Sequence, residues 1–356
     1  MSMVFGLIIV LGVLIFFHEL GHFALAKAFG VGVEKFSLGF GPVIASKTVG
    51  RTQYCLSAIP LGGYVKMVGE QPDSEIDPED LPYAFTQKPV FKRILIVAAG
   101  PVFNFFLAIL IFFAIFAIVG LMILKPVVGE VKAESPAARA GIQAGDRIVS
   151  VNETPVSSWS EMSEQIGGGE GDPIAITIER GGTNRSMAIT PARESMEDIF
   201  GETHDRYIIG ITAAGTTEIV RLNPLEAIGE SIYRTWLIVK LTILSIVKMF
   251  EGAVSVKNLG GPIMIAQMAG EQVQQGIVSL LSFIAVVSIN LGILNLLPVP
   301  ILDGGHLLFF GIEAVTGRPL SIRTREVAQQ IGLFILLMIM ILVFYNDIMR
   351  IVTGPS

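Results

Sequence analysis

The chain has 356 residues, 52% of them hydrophobic and only 16% charged, with a net charge of −6. Soluble proteins carry about a quarter of their residues as charges, so the composition excludes one soluble domain, and the lack of a basic patch excludes a nucleic-acid partner. The charges are unevenly placed: 23 of the 56 fall within residues 126–222, where acids outnumber bases by seven, so a soluble module interrupts a membrane protein. Cys55 is the single cysteine, and no intramolecular disulfide is available to the fold.

Residues 1–17 are almost wholly apolar and 20–26 continue the run past His18 and Glu19, which predicts a first membrane span over about 3–26. Ala24-Leu25-Ala26 resembles a signal-peptide cleavage site, but no Lys or Arg precedes the apolar run as such a peptide requires. Two strand-like runs, 51–57 and 63–68, predict a β-hairpin over 51–68 with 58–62 as its turn. At the edge of a membrane, such backbone must be paired or face a wet cavity. Residues 73–80 read as an acidic solvated loop, and the charge-free stretch 94–124 predicts a second span that completes a first membrane half, 1–125.

The soluble module, 126–215, reads as α/β. Ser135-Pro136 offers an N-cap and a first-turn proline, and Gly141 a stop, which predicts a short helix over 136–140. A strand at 148–151 is followed by a turn at Asn152-Glu153, then by a helix at 159–166 ending on Gly167-Gly168-Gly169. Ile174, Ile176 and Ile178 alternate as a half-buried strand does, and Gly181-Gly182 turns the chain into another through Ile189. Residues 216–275 contain an interrupted apolar stretch, 227–250, in which Glu226, Glu230 and Arg234 share one helical face while Tyr233 and Trp236 suit an interface. An amphipathic helix lying on the membrane surface fits better than a span. The second membrane half, 276–356, holds spans at about 276–297 and 327–346.

His18-Glu19-Leu20-Gly21-His22 is an H-E-x-x-H motif. Residues four apart stand one turn apart on one helix face, so both imidazoles can reach one Zn²⁺, and Glu19 is placed to take a proton from the attacking water. Ionisable groups inside a membrane helix are costly and usually functional. A catalytic zinc takes three protein ligands. The candidates for the third are Asp303, which ends a charge-free run, its neighbour His306, and His204 in the soluble module, which reads more simply as a surface residue.

Topology favours Asp303. If 227–250 also crossed the membrane, Asp303 would emerge on the face opposite the histidines; if it lies on the surface, Asp303 meets them, so zinc assembly predicts four spans. The loop between the first two spans carries Lys27, Lys35, Lys47, Arg51, Lys66, Lys88, Lys92 and Arg93, and the loop after Asp303 carries Arg318, Arg323 and Arg325. The positive-inside rule makes this zinc side cytoplasmic, with the module and both termini on the other side. The predicted fold class is therefore a polytopic α-helical membrane protein of about four transmembrane helices with an inserted α/β domain and a membrane-associated β-hairpin. Two other readings, a noncatalytic membrane-anchored adaptor and a transporter, fit less well: the first leaves four polar membrane residues unexplained, and for the second no paired internal repeat is evident.

These motifs resemble those of the bacterial site-2 proteases, in particular the regulator-of-sigma-E protease group of intramembrane zinc metalloproteases. The similarity rests on His18-Glu19-x-x-His22, on the N-x-x-P-x-x-x-x-D-G motif at 295–304, on Gly100-Pro101-x-x-Asn104 and on Asn258-Leu259-Gly260-Gly261-Pro262. It implies His18, His22 and Asp303 as zinc ligands and Glu19 as the catalytic acid/base. It adds Asn104, Asn295, Pro298, Gly304, His306, Gly62, Gly63 and Tyr64 as residues that bind substrate or support the ligands, the hairpin holding substrate as an extended strand. The stretch 135–151 resembles a PDZ domain, a module that binds a peptide terminus by strand addition. Well-known enterobacterial members carry two such domains, and this chain has room for one. The resemblance further implies residence in the bacterial inner membrane. It implies as substrates single-span membrane proteins, such as an anti-sigma factor already cut by an upstream site-1 protease, and remnant signal peptides.

Overall fold

A computed structural model describes residues 2–70, 76–198 and 200–353. Residues 73–75 of the expected acidic loop lie outside these. The chain divides into a unit of residues 1–114, 228–247 and 255–356 and a second unit of residues 115–227 and 248–254.

Four helices of the first unit are long and apolar enough to cross a membrane: α1 (Ser2–Ala28), α2 (Val90–Ile118), and two later ones, Ile277–Leu296 and Ile322–Thr353. α1 buries Gly6, Val10, Leu14, His18 and His22, a stripe at a strict spacing of four that turns one face of an otherwise apolar helix inward. α2 stops earlier than its apolar run. Gly120 adopts a left-handed φ of 98° and residues 121–124 leave as a strand, so the expected span 94–124 gives up its last turns to sheet.

The predicted hairpin takes a different form. β1 (Val33–Val49) and β2 (Thr52–Met67) meet at a turn around Gly50, and the runs 51–57 and 63–68 do not form a hairpin with each other. They flank residues 33–38 instead: Val33 to Leu38 pair antiparallel with Met67 to Gly63, while Lys35 to Leu38 run alongside Gln53 to Leu56. Residues 43–49 close the hairpin on 52–57. The result is a four-segment sheet whose 63–67 segment is an edge. Its base is cemented by Val33, Phe36, Val65 and Met67 against Ala26 of α1, Ile96 of α2 and Phe310.

Helix α5 (Pro224–Phe250) is not among the four helices long and apolar enough to cross a membrane, and it packs on α7 (Ile277–Leu296). Thr242 Oγ1 donates to Asn290 Oδ1 at 2.9 Å, beyond the midpoint of the helix that carries Asn290, so two polar side chains satisfy each other among apolar neighbours. An unexpected helix, α6 (Pro262–Gln275), follows. The Asp347 carboxylate caps it by accepting from the N–H groups of Gly261, Ile263 and Met264 at 2.9–3.1 Å. α6 packs on the start of α1, where Gly6 and Gly270 let the backbones touch.

The charge-free stretch 276–302 is broken. α7 (Ile277–Leu296) ends ahead of Pro298 and Pro300, and α8 (Asp303–Thr316) starts anew at Asp303. α9 (Ile322–Thr353) runs past its expected limits at both ends. Most of its apolar side chains face outward, as they must where lipid replaces water.

The second unit is the α/β module. β3 (Leu121–Leu124) pairs with β12 (Thr217–Val220), and β4 (Val128–Val131) with β11 (Ile211–Ala213), so the two strands that tether the module are zipped together. α3 (Pro136–Ala140) has the expected caps: Ser135 Oγ accepts from the Ala138 N–H, and Gly141 sits at φ 85°. A four-stranded sheet in the order β6 (Thr154–Pro155), β5 (Arg147–Val151), β7 (Ile174–Arg180), β8 (Thr183–Ile189) packs against α4 (Trp159–Gly167). Ile148, Val151, Met162, Ile176 and Ile178 form its core. An unexpected ribbon, β9 (Ala192–Glu197) with β10 (Thr203–Ile208), completes it.

One ion pair pins the module. Asp146, with a 1% exposed side chain, accepts from Arg180 Nε and Nη2 at 2.6 Å each and from the Gln143 N–H at 2.8 Å. The Arg180 guanidinium holds the Asp146 carboxyl below its ordinary range. A carboxyl lowered by folding stabilises the fold above its unfolded value near pH 4 and loses that contribution as pH falls through the folded value. Asp146→Ala is expected to cost about 2 kcal/mol at neutral pH, and the gap to wild type should close in acid; thermal melting of the full chain in detergent at pH 7 and pH 3 measures both.

Candidate metal centre

The site starts from two antiparallel spans. α2 presents Ile96, Gly100 and Asn104, again four apart, to the His18/His22 face of α1, and all five residues are buried. The helices come together because neither carries a side chain at the crossing. A Cβ on Gly21 would collide with the Ala99 carbonyl, and one on Gly100 would collide with His22 Nε2 while standing 2.8 Å from His18 Cε1.

His22 Nδ1 donates to the Ile96 carbonyl at 2.9 Å. A carbonyl only accepts, so the ring hydrogen sits on Nδ1 and the Nε2 lone pair points inward. His22 Nε2 lies 3.3 Å from His18 Nε2, the rings edge to face with centroids 4.9 Å apart. The break between α7 and α8 delivers Asp303 in the first turn of α8, where Gly304 and Gly305 let the helix start press against the carbonyls of Leu296, Leu297 and Val299. Asp303 Oδ2 stands 3.2 Å from His18 Nε2 and 3.6 Å from His22 Nε2. It is buried with no donor aligned to it.

Two imidazole lone pairs and a carboxylate oxygen aimed at one point repel unless a cation lies between them. The three donor atoms lie within 4.8 Å of one another. Their chemistry, the orphaned Asp303 oxygen and the space kept clear by Gly100 fit a tetrahedral zinc with one coordination position left open.

Glu19, at the next position along α1, does not join this donor set. Its Oε2 accepts from the Val65 N–H at 3.0 Å, so the edge segment of the sheet holds the carboxylate. Gly63 passes 3.7 Å from Glu19 Cγ, measured from a Cβ built on the glycine. A cavity of about 630 Å³ opens beside these groups, and His18, Glu19, His22, Tyr64, Asp303 and His306 contribute to its wall. Tyr64 stacks on Phe40, with centroids 6.1 Å apart, and Gly62 gives that ring its room, since any Cβ there would overlap it. Burial pushes the His306 imidazole below its ordinary value, and the ring lines the cavity.

The other expected residues stand further out. Asn104 Nδ2 and His18 Nδ1 are 3.2 Å apart, behind the metal site. Asn295 is half-buried and Pro298 exposed, and among the described residues neither lines the cavity. His204 is exposed in the module beside Asp198 and Glu202. Sequence reasoning missed Glu70, whose Oε2 accepts from the Met67 N–H at 3.3 Å, and the cavity-lining arginines Arg93 and Arg325. Arg93 grips Glu313 through both terminal nitrogens at 2.5 and 3.2 Å, and Arg325 approaches the same carboxylate at 3.8 Å. In the sequence both arginines look like ordinary cytoplasmic-side charges, and Glu313 carries no motif.

Comparison with known proteins agrees with this chemistry. Residues 6–339 match the model of peptidase family M50, and the chain belongs to that family. Over 96% of this chain and 94% of its own length, a protein of Agrobacterium fabrum whose name assigns it provisionally to the zinc metalloproteases is 39% identical. The regulator of sigma-E protease of Salmonella typhimurium is 34% identical over 96% of this chain and 97% of its own length. A solved PDZ domain of an SdrC-like protein from Listeria monocytogenes is 27% identical over 25% of this chain and 87% of its own, with a TM-score of 0.20. The chain is thus a zinc metalloprotease of the site-2 type.

Gly100→Ala tests the close approach. The added methyl must displace an imidazole, so bound zinc in the purified variant should fall to background by elemental analysis while Gly12→Ala, where a Cβ meets nothing within 4 Å, should keep it.

Proposed function

We propose that the protease hydrolyses peptide bonds within transmembrane segments, with His18, His22 and Asp303 holding the zinc and Glu19 acting as acid and base. The observation that carries this reading is the placement of His18 and His22 on the buried face of a helix long and apolar enough to cross a membrane, where they meet Asp303 beside a cavity walled by both polar and apolar side chains. Bound zinc supplies Lewis acidity toward the scissile carbonyl and lowers the pKa of the attacking water toward neutrality. Glu19 takes a proton from that water and returns it to the departing amine. The Val65 N–H keeps the carboxylate oriented until substrate arrives. The Asp303 carboxylate balances the charge that the imidazoles help to carry.

A transmembrane substrate enters as a helix with its carbonyls already bonded, so it must open before it can be cut. The 63–67 edge offers replacement partners, and a strand added there passes Tyr64 and Glu19. Substrates of this kind are single-span proteins shortened by an upstream protease, of the anti-sigma-factor type, or remnant signal peptides. The PDZ-like module contacts a peptide terminus outside the site. The basic loops flanking the zinc residues support an active site toward the cytoplasm of a bacterial inner membrane, with the module and both termini on the opposite side.

Glu19→Gln should lower cleavage of a trimmed single-span reporter at least about a hundredfold at equal expression and equal zinc content. Equal cleavage by wild type and variant would remove Glu19 from the mechanism. For the edge, a reporter with one cysteine near its scissile region should form a disulfide with Tyr64→Cys in an E19Q background and none with a cysteine at the exposed Val49. Equal cross-linking at both positions would argue against strand addition.

A further inference from the structure

Each zinc imidazole has a second nitrogen, and the structure treats the two differently. Nδ1 of His22 has a carbonyl, that of Ile96. Nδ1 of His18 has the side-chain amide of Asn104, 3.2 Å away. Ile96 and Asn104 lie one turn to either side of Gly100 on the same stripe of α2, so α2 meets the back of each ring in turn. We infer that Asn104 is the positioning residue of His18: its amide oxygen accepts the Nδ1 hydrogen and fixes the ring with Nε2 toward the zinc.

This inference rests on the reading of His18 as a zinc ligand. An imidazole that gives its Nε2 lone pair to a metal carries its hydrogen on Nδ1, and Nδ1 then requires an acceptor. Asn104 is completely buried, and among the described residues its Oδ1 has no hydrogen-bond partner. With Nδ2 toward the ring, two donors would face each other at 3.2 Å while an acceptor stands idle. A half-turn about the Cβ–Cγ bond exchanges the two amide atoms, which differ in chemistry and not in shape. The exchange replaces one orphan by another on the far side of the amide, and it turns the contact with Nδ1 from repulsive to bonded. The ring contact therefore decides the orientation. Asn104 is itself held independently of its side chain, because Ser288 of α7 donates through Oγ to the Asn104 backbone carbonyl at 2.8 Å. The amide thus stands on a braced piece of α2.

The sequence contains this arrangement as Ile96-x-x-x-Gly100-x-x-x-Asn104 opposite His18-x-x-x-His22. A merely space-filling Asn104 would tolerate leucine, which is close in size. A positioning Asn104 tolerates only a residue that accepts. Outer hydrogen-bond partners of zinc-bound imidazoles typically contribute ten- to a hundredfold in metal affinity.

The test uses the full-length protein in detergent, titrated with zinc against a competing chelator, with the melting temperature of the zinc-stripped form measured in parallel. Asn104→Leu is expected to bind zinc at least about tenfold more weakly, with the zinc-free melting temperature unchanged. Asn104→Asp, whose carboxylate can only accept, should stay within about threefold of wild type. Three results overturn the inference: Asn104→Leu binding as tightly as wild type, Asp and Leu variants equally weakened, or a zinc-free melting temperature that falls with Asn104→Leu. Failure of the underlying reading shows separately, as a His18→Ala protein that still binds zinc like wild type.

Discussion

The crossing of α1 and α2 at Gly21 and Gly100 is the constraint on which the catalytic unit depends. Zinc ligands on one helix need the space in front of them empty and the space behind them polar, and an apolar membrane helix normally supplies neither. Here α2 supplies both on a single stripe: Gly100 clears the front, while the Ile96 carbonyl and the Asn104 amide stand behind the rings. The Ile96 carbonyl, already part of a helix, can accept a second hydrogen because backbone oxygens have two lone pairs. A larger side chain at Gly21 would press on the Ala99 carbonyl, and one at Gly100 on the His22 ring, so either would disturb the site's geometry.

Asp303 reaches this crossing by a break in regular structure, while Glu19 stands on the unbroken helix of the histidines. Asp303 is presented because Pro298 and Pro300 end one helix and a new one begins at the aspartate, with Gly304 and Gly305 allowing the tight start. Glu19 shares the helix of the histidines and points to the sheet, where the outward N–H of Val65 meets it. The next outward N–H along that edge, of Met67, meets Glu70. Two carboxylates therefore occupy the outward hydrogen-bonding positions of this edge, the positions that an added strand would use.

Much of this was legible in the sequence. Charge-free runs located the long apolar helices, H-E-x-x-H picked out His18 and His22, and the topological argument together with the family resemblance pointed to Asp303, which the structure brings beside them. The sheet was misread because residues 33–49 are interrupted by Gly39, Gly41 and Pro42, which hide alternation, and because 33–38 recruits partners on both sides from a segment that reads as a hairpin by itself. The last turns of the second span were apolar enough to mislead; only pairing with the distant β12 makes them strand. The Thr242 contact with Asn290 and the Arg93–Glu313–Arg325 cluster were invisible for the same reason: each joins residues far apart in sequence, and no local pattern marks the partner.

The tethers of the module show how an insertion of more than a hundred residues is closed on itself. Leu121 pairs with Val220 and Leu124 with Thr217, so the chain leaves and returns at nearly one point, and the closure cost of the loop is met inside the module by its own ladder. The alignment with the Salmonella protease extends over 443 positions, against 356 residues in this chain, so that relative carries additional sequence while every residue proposed here for catalysis lies within the first unit. The residues proposed for catalysis and the module therefore occupy separate stretches of the covalent chain.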